Sequence, residues 1–285
     1  SFVCEGLTIM SILRFSRFYY ANDVAFVSEQ EKITYGELYL LAIRLTKVLR
    51  TEHGINEGMR VGVLCRNHTI SALLLPALSR LGVNVRLLNT DIMSEKMDLL
   101  LRNKRIDCLI FDEELRERCL PVKLPCRSVS TETLRIQMNE KSKYDAVSLP
   151  HILRGGEIAV LTGGTSGNYK EASRKTSLFQ FLPPFFALLK DIKIQDYKSV
   201  FVVLPFYHGF GLGVLIIALA MGKKICMSRH FNADDALLMI ADENVEVLPI
   251  VPTMLTRILQ TPESKERIRS VKCIISGGDR LDKKL

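Results

Sequence analysis

Leu161-Thr162-Gly163-Gly164-Thr165-Ser166-Gly167-Asn168-Tyr169-Lys170 gathers backbone donors, hydroxyls and an ammonium into one short loop. Its glycines let main-chain N–H groups turn toward a polyphosphate without side chains in the way. Thr162, Thr165 and Ser166 add hydroxyl donors, and Lys170 adds a point charge. The preceding run, Glu157-Ile158-Ala159-Val160-Leu161, reads as a strand feeding the loop. On composition alone a polar surface turn competes with this reading. The order of residues narrows the choice. No Gly-Lys-Ser/Thr follows the first glycines at the distance a Walker A loop needs. After Ser166 a glycine comes one place too early for a nucleophile elbow.

Working outward, apolar strands alternate with helical periodicity. Thr34-Tyr35-Gly36-Glu37 has capping-box spacing, so a helix is predicted to start there, with Leu38, Leu41, Ala42, Leu45 and Val48 on its apolar face. Val61–Leu64, Val83–Leu87 and Cys108–Phe111 read as strands, and 69–81 and 94–103 as helices between them. Residues 112–150, mixed in charge and proline, are expected to include an exposed connection. Ser199 to Gly222 holds no formally charged residue and is long enough for a membrane span. Pro205, His208 and the series Gly209, Gly211, Gly213 instead divide it into a buried strand, a loop and a helix beginning near Gly211. That series also imitates a dinucleotide fingerprint, without its last spaced glycine or a suitably placed acidic residue. Close chain packing and pocket lining explain the same glycines equally well. The alternation as a whole predicts an α/β fold with mostly parallel sheet.

Composition bounds the function classes. The chain has 285 residues, is 47% hydrophobic and carries a formal net charge of +8. It can bury a sizeable core, and anionic ligands or an anionic membrane surface suit its charge. The basic residues are scattered, with no Lys/Arg block and no RNP-like aromatic motif, which argues against nucleic acid. Seven cysteines without a CxxC pair predict reduced thiols in a cytoplasmic protein, several of them in core strands. The first residues, Ser1-Phe2-Val3-Cys4, lack the pattern of a signal peptide.

The loop at 161–170 resembles the phosphate loop of adenylate-forming enzymes, the superfamily of acyl-CoA synthetases, luciferases and peptide-synthetase adenylation domains. Its pattern there is roughly Thr-Ser-Gly-Thr-Thr-Gly-x-Pro-Lys. The likeness continues in order. Leu204-Pro205-Phe206-Tyr207-His208-Gly209-Phe210-Gly211 is similar to the aromatic and histidine motif beside the acyl pocket. Glu246 to Leu255 resembles the strand that ends in Val-Pro before a helix, here Val251-Pro252. Ile274-Ile275-Ser276-Gly277-Gly278-Asp279-Arg280-Leu281 resembles a Ser-Gly-Gly-Ala-Pro-Leu turn lining the adenine and acyl sites, and Lys32–Leu38 fits the opening helix. Departures stand beside these matches: Tyr169 replaces proline, Glu171 replaces glycine, and Asp279-Arg280 replaces Ala-Pro.

The resemblance implies two mostly parallel sheets packed with helices in layers, as in the large domain of an adenylate-forming enzyme. Residues of about 60–198 would form one subdomain, and about 1–59 with 199–285 the second. It implies activation of a carboxylic acid, with an aliphatic fatty acid preferred, by ATP and Mg²⁺ to an acyl-adenylate and transfer to coenzyme A. Thr162, Gly163, Gly164, Thr165, Ser166, Gly167 and Lys170 would cradle phosphates, and Gly277, Gly278 and Asp279 would meet the nucleotide. His208 would orient the carboxylate, with Phe206, Tyr207, Phe210 and Gly211 lining the substrate path. Phe179, Phe181, Phe185 and Phe186, at helical spacing, read as core. No protein side chain is assigned as a metal ligand.

Family members continue into a Tyr-Gly-x-Thr-Glu motif, a ribose-binding aspartate and a small carboxy-terminal domain bearing a catalytic lysine. The sequence stops at Leu285 before these. The expectation is a part of the large domain that does not form acyl-adenylate alone, with uncovered apolar surface favouring self-association. Two other classes stay open: a nonenzymatic nucleotide- or acyl-binding module, and an unrelated nucleotide-dependent α/β enzyme such as a dehydrogenase.

Overall fold

The computed structural model describes residues 8–152, 155–162, 170–172, 190 and 192–279. The phosphate-loop positions Gly163, Gly164, Thr165, Ser166, Gly167 and Tyr169, the phenylalanines at 179, 181, 185 and 186, and Arg280 and Leu281 lie outside the described residues. The chain opens with α1 (Ile9–Tyr20), β1 (Val24–Val27), β2 (Lys32–Thr34) and α2 (Tyr35–Thr51). Strict alternation follows: β3 (Arg60–Leu64), α3 (Thr69–Arg80), β4 (Asn84–Leu87), α4 (Ser94–Asn103), β5 (Cys108–Phe111) and α5 (Arg116–Cys119). Next come β6 (Arg127–Ser130), α6 (Thr131–Met138), α7 (Lys141–Asp145), β7 (Ile158–Thr162) and β8 (Lys170–Ala172). The last part holds β9 (Ser199–Val202), α8 (Gly209–Ala220), β10 (Lys224–Met227), α9 (Ala233–Asp242), β11 (Val247–Ile250), α10 (Pro252–Gln260), α11 (Ser264–Arg267) and β12 (Cys273–Ser276).

These elements form two compact units, residues 1–15, 39–66 and 70–181 in the first and 16–38, 67–69 and 182–285 in the second. Each carries a six-stranded sheet, ordered β6-β5-β3-β4-β7-β8 and β12-β11-β9-β10-β1-β2. Every pairing is parallel except β7 with β8 and β1 with β2, so each sheet ends in one antiparallel edge strand. Parallel strands need helical cover on both faces, which explains their continuous apolar runs. In the first unit Leu64, Leu88, Met97, Leu101, Leu109 and Phe111 share one core. In the second, Phe201, Cys226, Leu237, Ile240, Leu248 and Ile258 share another.

The capping box forms as the spacing predicts. Glu37 Oε2 accepts from Thr34 N at 2.8 Å, and Thr34 Oγ1 accepts from Glu37 N at 3.3 Å. The bond from Thr34 N, with a second from Thr34 Oγ1 to Glu37 Oε2 at 2.9 Å, holds the Glu37 carboxyl below its ordinary range. Tyr35 then buries its ring, and its hydroxyl donates to Lys223 O at 2.8 Å just beyond α8, with Ala218 O also within 3.3 Å. Burial pushes that phenol well above its usual value.

The two units divide the chain differently from the expected subdomains: residues 1–15 and 39–59 lie in the first unit, and 67–69 and 182–198 in the second. Lys47 Nζ donates to Tyr144 O at 2.8 Å and the Tyr144 hydroxyl to Glu52 at 3.3 Å, fastening α2 to α7. Residues 112–150 include the expected exposed connection at 121–126, where Val122 and Lys123 are exposed, and also supply β6, α6 and α7. Asp112, fully buried, accepts from Arg66 N and from Thr131 Oγ1, both at 2.8 Å, so one carboxylate ties β3, β5 and α6 together.

Among the described residues six cysteines are free thiols. Burial pushes Cys226 up to about 12 and Cys108 and Cys126 up to about 11, and it raises Cys273 as well. Cys108 and Cys226 are core strand residues, as expected. No described helix is long and apolar enough to cross a membrane. The uncharged stretch after Ser199 becomes β9, a turn and the 12-residue α8.

Candidate functional site

In the first unit, β7 runs parallel to β4 and delivers the chain to the glycine-rich loop. A buried ion pair steadies its entry, with Arg86 on β4 lying 3.2 Å from Glu157. β8 then returns antiparallel, with Val160 opposite Ala172, Leu161 opposite Glu171 and Thr162 opposite Lys170. Thr162 and Lys170 are thus paired, as the last residue of β7 and the first of β8. The sequence ends the loop at Lys170, whereas the structure makes Lys170 the first residue of a strand. Glu171, one of the departures, takes part in that ladder.

In the second unit, β9, β11 and β12 are parallel neighbours, so their carboxyl ends open on one edge of the sheet, where ligands of open α/β sheets bind. Three sequence motifs meet there. After β9 the chain turns through Leu204 and Pro205, with His208 N donating to Pro205 O at 3.0 Å, and enters α8. The helix begins at Gly209, two residues before the expected Gly211, with His208 as its N-cap. A Cβ at Gly211 would lie 2.4 Å from Pro205 O and 2.6 Å from Leu204 O, so only glycine lets α8 close onto the turn. Gly211 therefore serves helix packing, whereas a Cβ at Gly209 would meet nothing within 4 Å. A dinucleotide fingerprint needs its glycines in the loop before a helix, and that reading is overturned.

Phe210, half-buried at the start of α8, lays its ring against Gly277, where a Cβ would meet Phe210 Cε1 at 2.8 Å. Gly277 N donates to Ile250 O at 3.2 Å, which carries the β11–β12 ladder to its end. Gly278 then adopts φ +87°, a conformation that favours glycine, beside the Val251 side chain. Asp279 follows, exposed. Just before these glycines, Ser276 Oγ is buried without a hydrogen-bond partner among the described residues. An orphaned hydroxyl on a ligand-binding edge suits a polar ligand that brings its own donor or acceptor.

Phe206 and Tyr207 are 4% and 7% exposed, so they are chiefly packed in the turn. His208 is exposed, its ring 4.6 Å from that of Tyr207, and its side chain makes no capping bond to the helix. Its orientation comes from the backbone of the turn.

The residue that fixes this turn escaped sequence reasoning. Asn67, 4% exposed, donates from Nδ2 to Leu204 O at 2.9 Å and to Val202 O at 3.3 Å, and its Oδ1 accepts from Phe206 N at 3.0 Å. One amide side chain satisfies three main-chain groups over five residues. No local pattern around Asn67 announces this, because its partners lie more than a hundred positions away.

Comparison with known proteins places these features in context. The sequence pattern of the family described as AMP-binding enzyme matches residues 17–285. The 2-succinylbenzoate–CoA ligase of Bacillus anthracis is 23% identical over 278 residues, covering 98% of this chain and 55% of that protein. The chain spans about half the length of the curated relatives it matches. Among solved structures, the inhibitor-bound N-terminal domain of FACL13 from Mycobacterium tuberculosis has a TM-score of 0.81 at 20% identity, covering 97% of this chain and 71% of that one. The O-succinylbenzoate coenzyme A synthetase of Bacillus subtilis, in complex with ATP and magnesium ion, has a TM-score of 0.74 at 21% identity, covering 94% and 54%. At these identities the structural likeness establishes the fold.

Proposed function

Because this chain belongs to the AMP-binding enzyme family, we propose that it supplies the phosphate- and acid-binding part of an enzyme that activates a carboxylic acid with ATP and passes the acyl group to coenzyme A. The observation that carries this reading is the meeting of the His208 turn, Val251 and Gly277-Gly278 at the carboxyl ends of three parallel strands. A carboxylate oxygen attacks the α-phosphorus, the bond to pyrophosphate breaks, and a mixed anhydride forms. Anions must meet and an anion must leave, so positioned donors do most of the work. Thr162, Gly163, Gly164, Thr165, Ser166, Gly167 and Lys170 hold the β- and γ-phosphates. Gly277, Gly278 and Asp279 meet the nucleotide, and the Ser276 hydroxyl gains a partner there. His208 orients the carboxylate beside Phe210, with Phe206, Tyr207 and Gly211 building the wall behind it. Mg²⁺, for which no side chain of this chain is assigned as a ligand, would supply neutralisation of the phosphate charge.

The acid is aliphatic in this reading. Val214, Ile217 and Met221 recur at helical spacing along α8 and face Val200, Val247 and Ile275 across a cavity of about 40 Å³. Lys223 also borders it, yet its ammonium donates to Gln195 O at 2.9 Å and to Tyr197 O, leaving the alkyl stem as lining. Burial lowers the Lys223 pKa. A cavity of this size holds no more than the end of an aliphatic group, and its apolar walls suit one.

Carboxylate-dependent ATP–pyrophosphate exchange by the whole protein tests the assignment. Dodecanoate is expected to support exchange with kcat/KM at least about tenfold above that of 2-succinylbenzoate, the difference a few buried methylenes provide. Exchange that ignores added acid would sink acid activation, and a preference for the dicarboxylate would sink the aliphatic tail. His208→Ala is expected to lower kcat/KM for the acid by about 10- to 100-fold through lost orientation. Its exposed side chain leaves the melting temperature within about 2 °C of the parent. A large drop in melting temperature with unchanged kinetics would assign His208 to structure alone.

A further inference from the structure

Helix α8 runs away from the His208 turn, so Val214, Ile217 and Ala218 in its second half bring the apolar cavity toward the opposite ends of the strands. A wider polar cleft of about 720 Å³ opens there, bordered by Val24, Ser199 and Lys224, the first residues of β1, β9 and β10. Tyr197, Ser199, Met221 and Lys223 line both spaces, and among the described residues these four form the wall between them. Ser199 is pinned, its Oγ accepting from Glu246 N at 3.0 Å and donating to Asn244 O at 2.9 Å. Lys223 is pinned by its tip. Its ammonium donates to Gln195 O at 2.9 Å and to Tyr197 O, and Gln195 borders the cleft but not the cavity. The charge therefore lies on the polar side, and the four-carbon stem spans the wall.

We propose that Lys223 sets the length of acid this protein accepts, its anchored stem closing the apolar space before an acyl chain can run on into the cleft. The inference rests on the reading of the apolar cavity as the seat of the acid's terminal carbons. In a space of about 40 Å³ a single added methylene is felt, because a packed wall yields only at a cost. Lys223 makes that wall firm, since both ends of its side chain are held and the stem cannot swing aside without breaking its bonds to two carbonyls. The wall is also separable from the fold. Lys223 N donates to Ala218 O at 3.0 Å, and Lys223 O accepts from the Tyr35 hydroxyl at 2.8 Å, bonds that an alanine keeps. Truncation at this position joins the cavity to a cleft with room for further methylenes beside Met221 and Val24.

Chain-length profiles of acid-dependent ATP–pyrophosphate exchange by the whole protein test the proposal, with saturated acids from butanoate to hexadecanoate. The parent profile is expected to rise to one maximum in kcat/KM and to fall beyond it. In Lys223→Ala the maximum moves to an acid at least about two carbons longer. The ratio of kcat/KM for that longer acid to kcat/KM for the parent's best acid rises at least about tenfold. Met221→Ala, on the same wall, shifts the profile in the same direction and supplies the test should Lys223→Ala not fold. Variant profiles that superpose on the parent's overturn the assignment while leaving acid activation standing. So does a uniform fall at every chain length, the mark of a lysine that only holds the structure. Exchange in the parent that ignores added acid would overturn acid activation itself, and the role of the wall with it.

Discussion

Lys170→Ala is expected to lower carboxylate-dependent ATP–pyrophosphate exchange by about 10²–10³-fold in the whole protein, the loss typical of one well-placed charge-stabilising donor. The expectation follows from the hairpin. Register pairs Thr162, the last residue of β7, with Lys170, the first of β8, so the position of residue 170 comes from main-chain pairing that alanine retains. Truncation therefore removes the ammonium and leaves the ladder. Thr165→Ala, which deletes a neutral donor in the same connection, is expected to cost about tenfold. Thermal unfolding of each variant should match the parent within a degree or two, separating chemistry from folding. Rates equal to the parent at saturating ATP and acid would remove this hairpin from the mechanism.

The second large effect is expected at a residue that touches no ligand. Asn67→Ala should destabilise the fold by about 2–4 kcal/mol, because Val202 O, Leu204 O and Phe206 N all lose a partner in a buried turn. Asn67→Asp is not a rescue. An ionised carboxylate still accepts from Phe206 N but has no hydrogen to give the two carbonyls, and its charge is buried beside them. Urea unfolding reads the effect as a lower midpoint at unchanged slope. The same substitutions should lower kcat/KM for the acid in protein that remains folded, since His208 is oriented by the turn through its bond to Pro205 O. A stability change below about 0.5 kcal/mol would show that water replaces the amide without loss.

What the sequence revealed, and what it hid, follows from the range of the forces involved. The capping box at Thr34 and Glu37 is a contact between neighbours in the chain, and it forms as read. β3, β5 and β9 were legible because burial on both faces leaves them apolar after, at most, a first polar residue, Arg60 in β3 and Ser199 in β9. β6 was not, since Arg127-Ser128-Val129-Ser130 sits at an edge and buries only its last two residues. β8 is three residues, Lys-Glu-Ala, with no strand preference, and only its pairing with β7 makes it a strand. α8 starts earlier than its glycines suggested because close approach to the Leu204 and Pro205 carbonyls outweighs their poor helix propensity. In the candidate site the motifs around His208 and Gly277 were readable as strings. Their junction through Phe210, and the role of Asn67, depend on how distant strands are ordered in the sheet.

The buried thiols acquire a meaning from the proposed chemistry. A mixed acyl–phosphate anhydride is an electrophile, and its intended acceptor is a thiol. A protein carrying seven cysteines surrounds such an intermediate with potential rivals. Only a thiolate competes effectively, and thiols pushed up to about 11 at Cys108 and Cys126 and to about 12 at Cys226 are ionised at neutral pH to roughly one part in ten thousand or less. Their burial thus does more than fill strands. In the proposed reading it makes these three thiols poor nucleophiles toward an acyl-adenylate, so that the acyl group is left for a diffusible carrier.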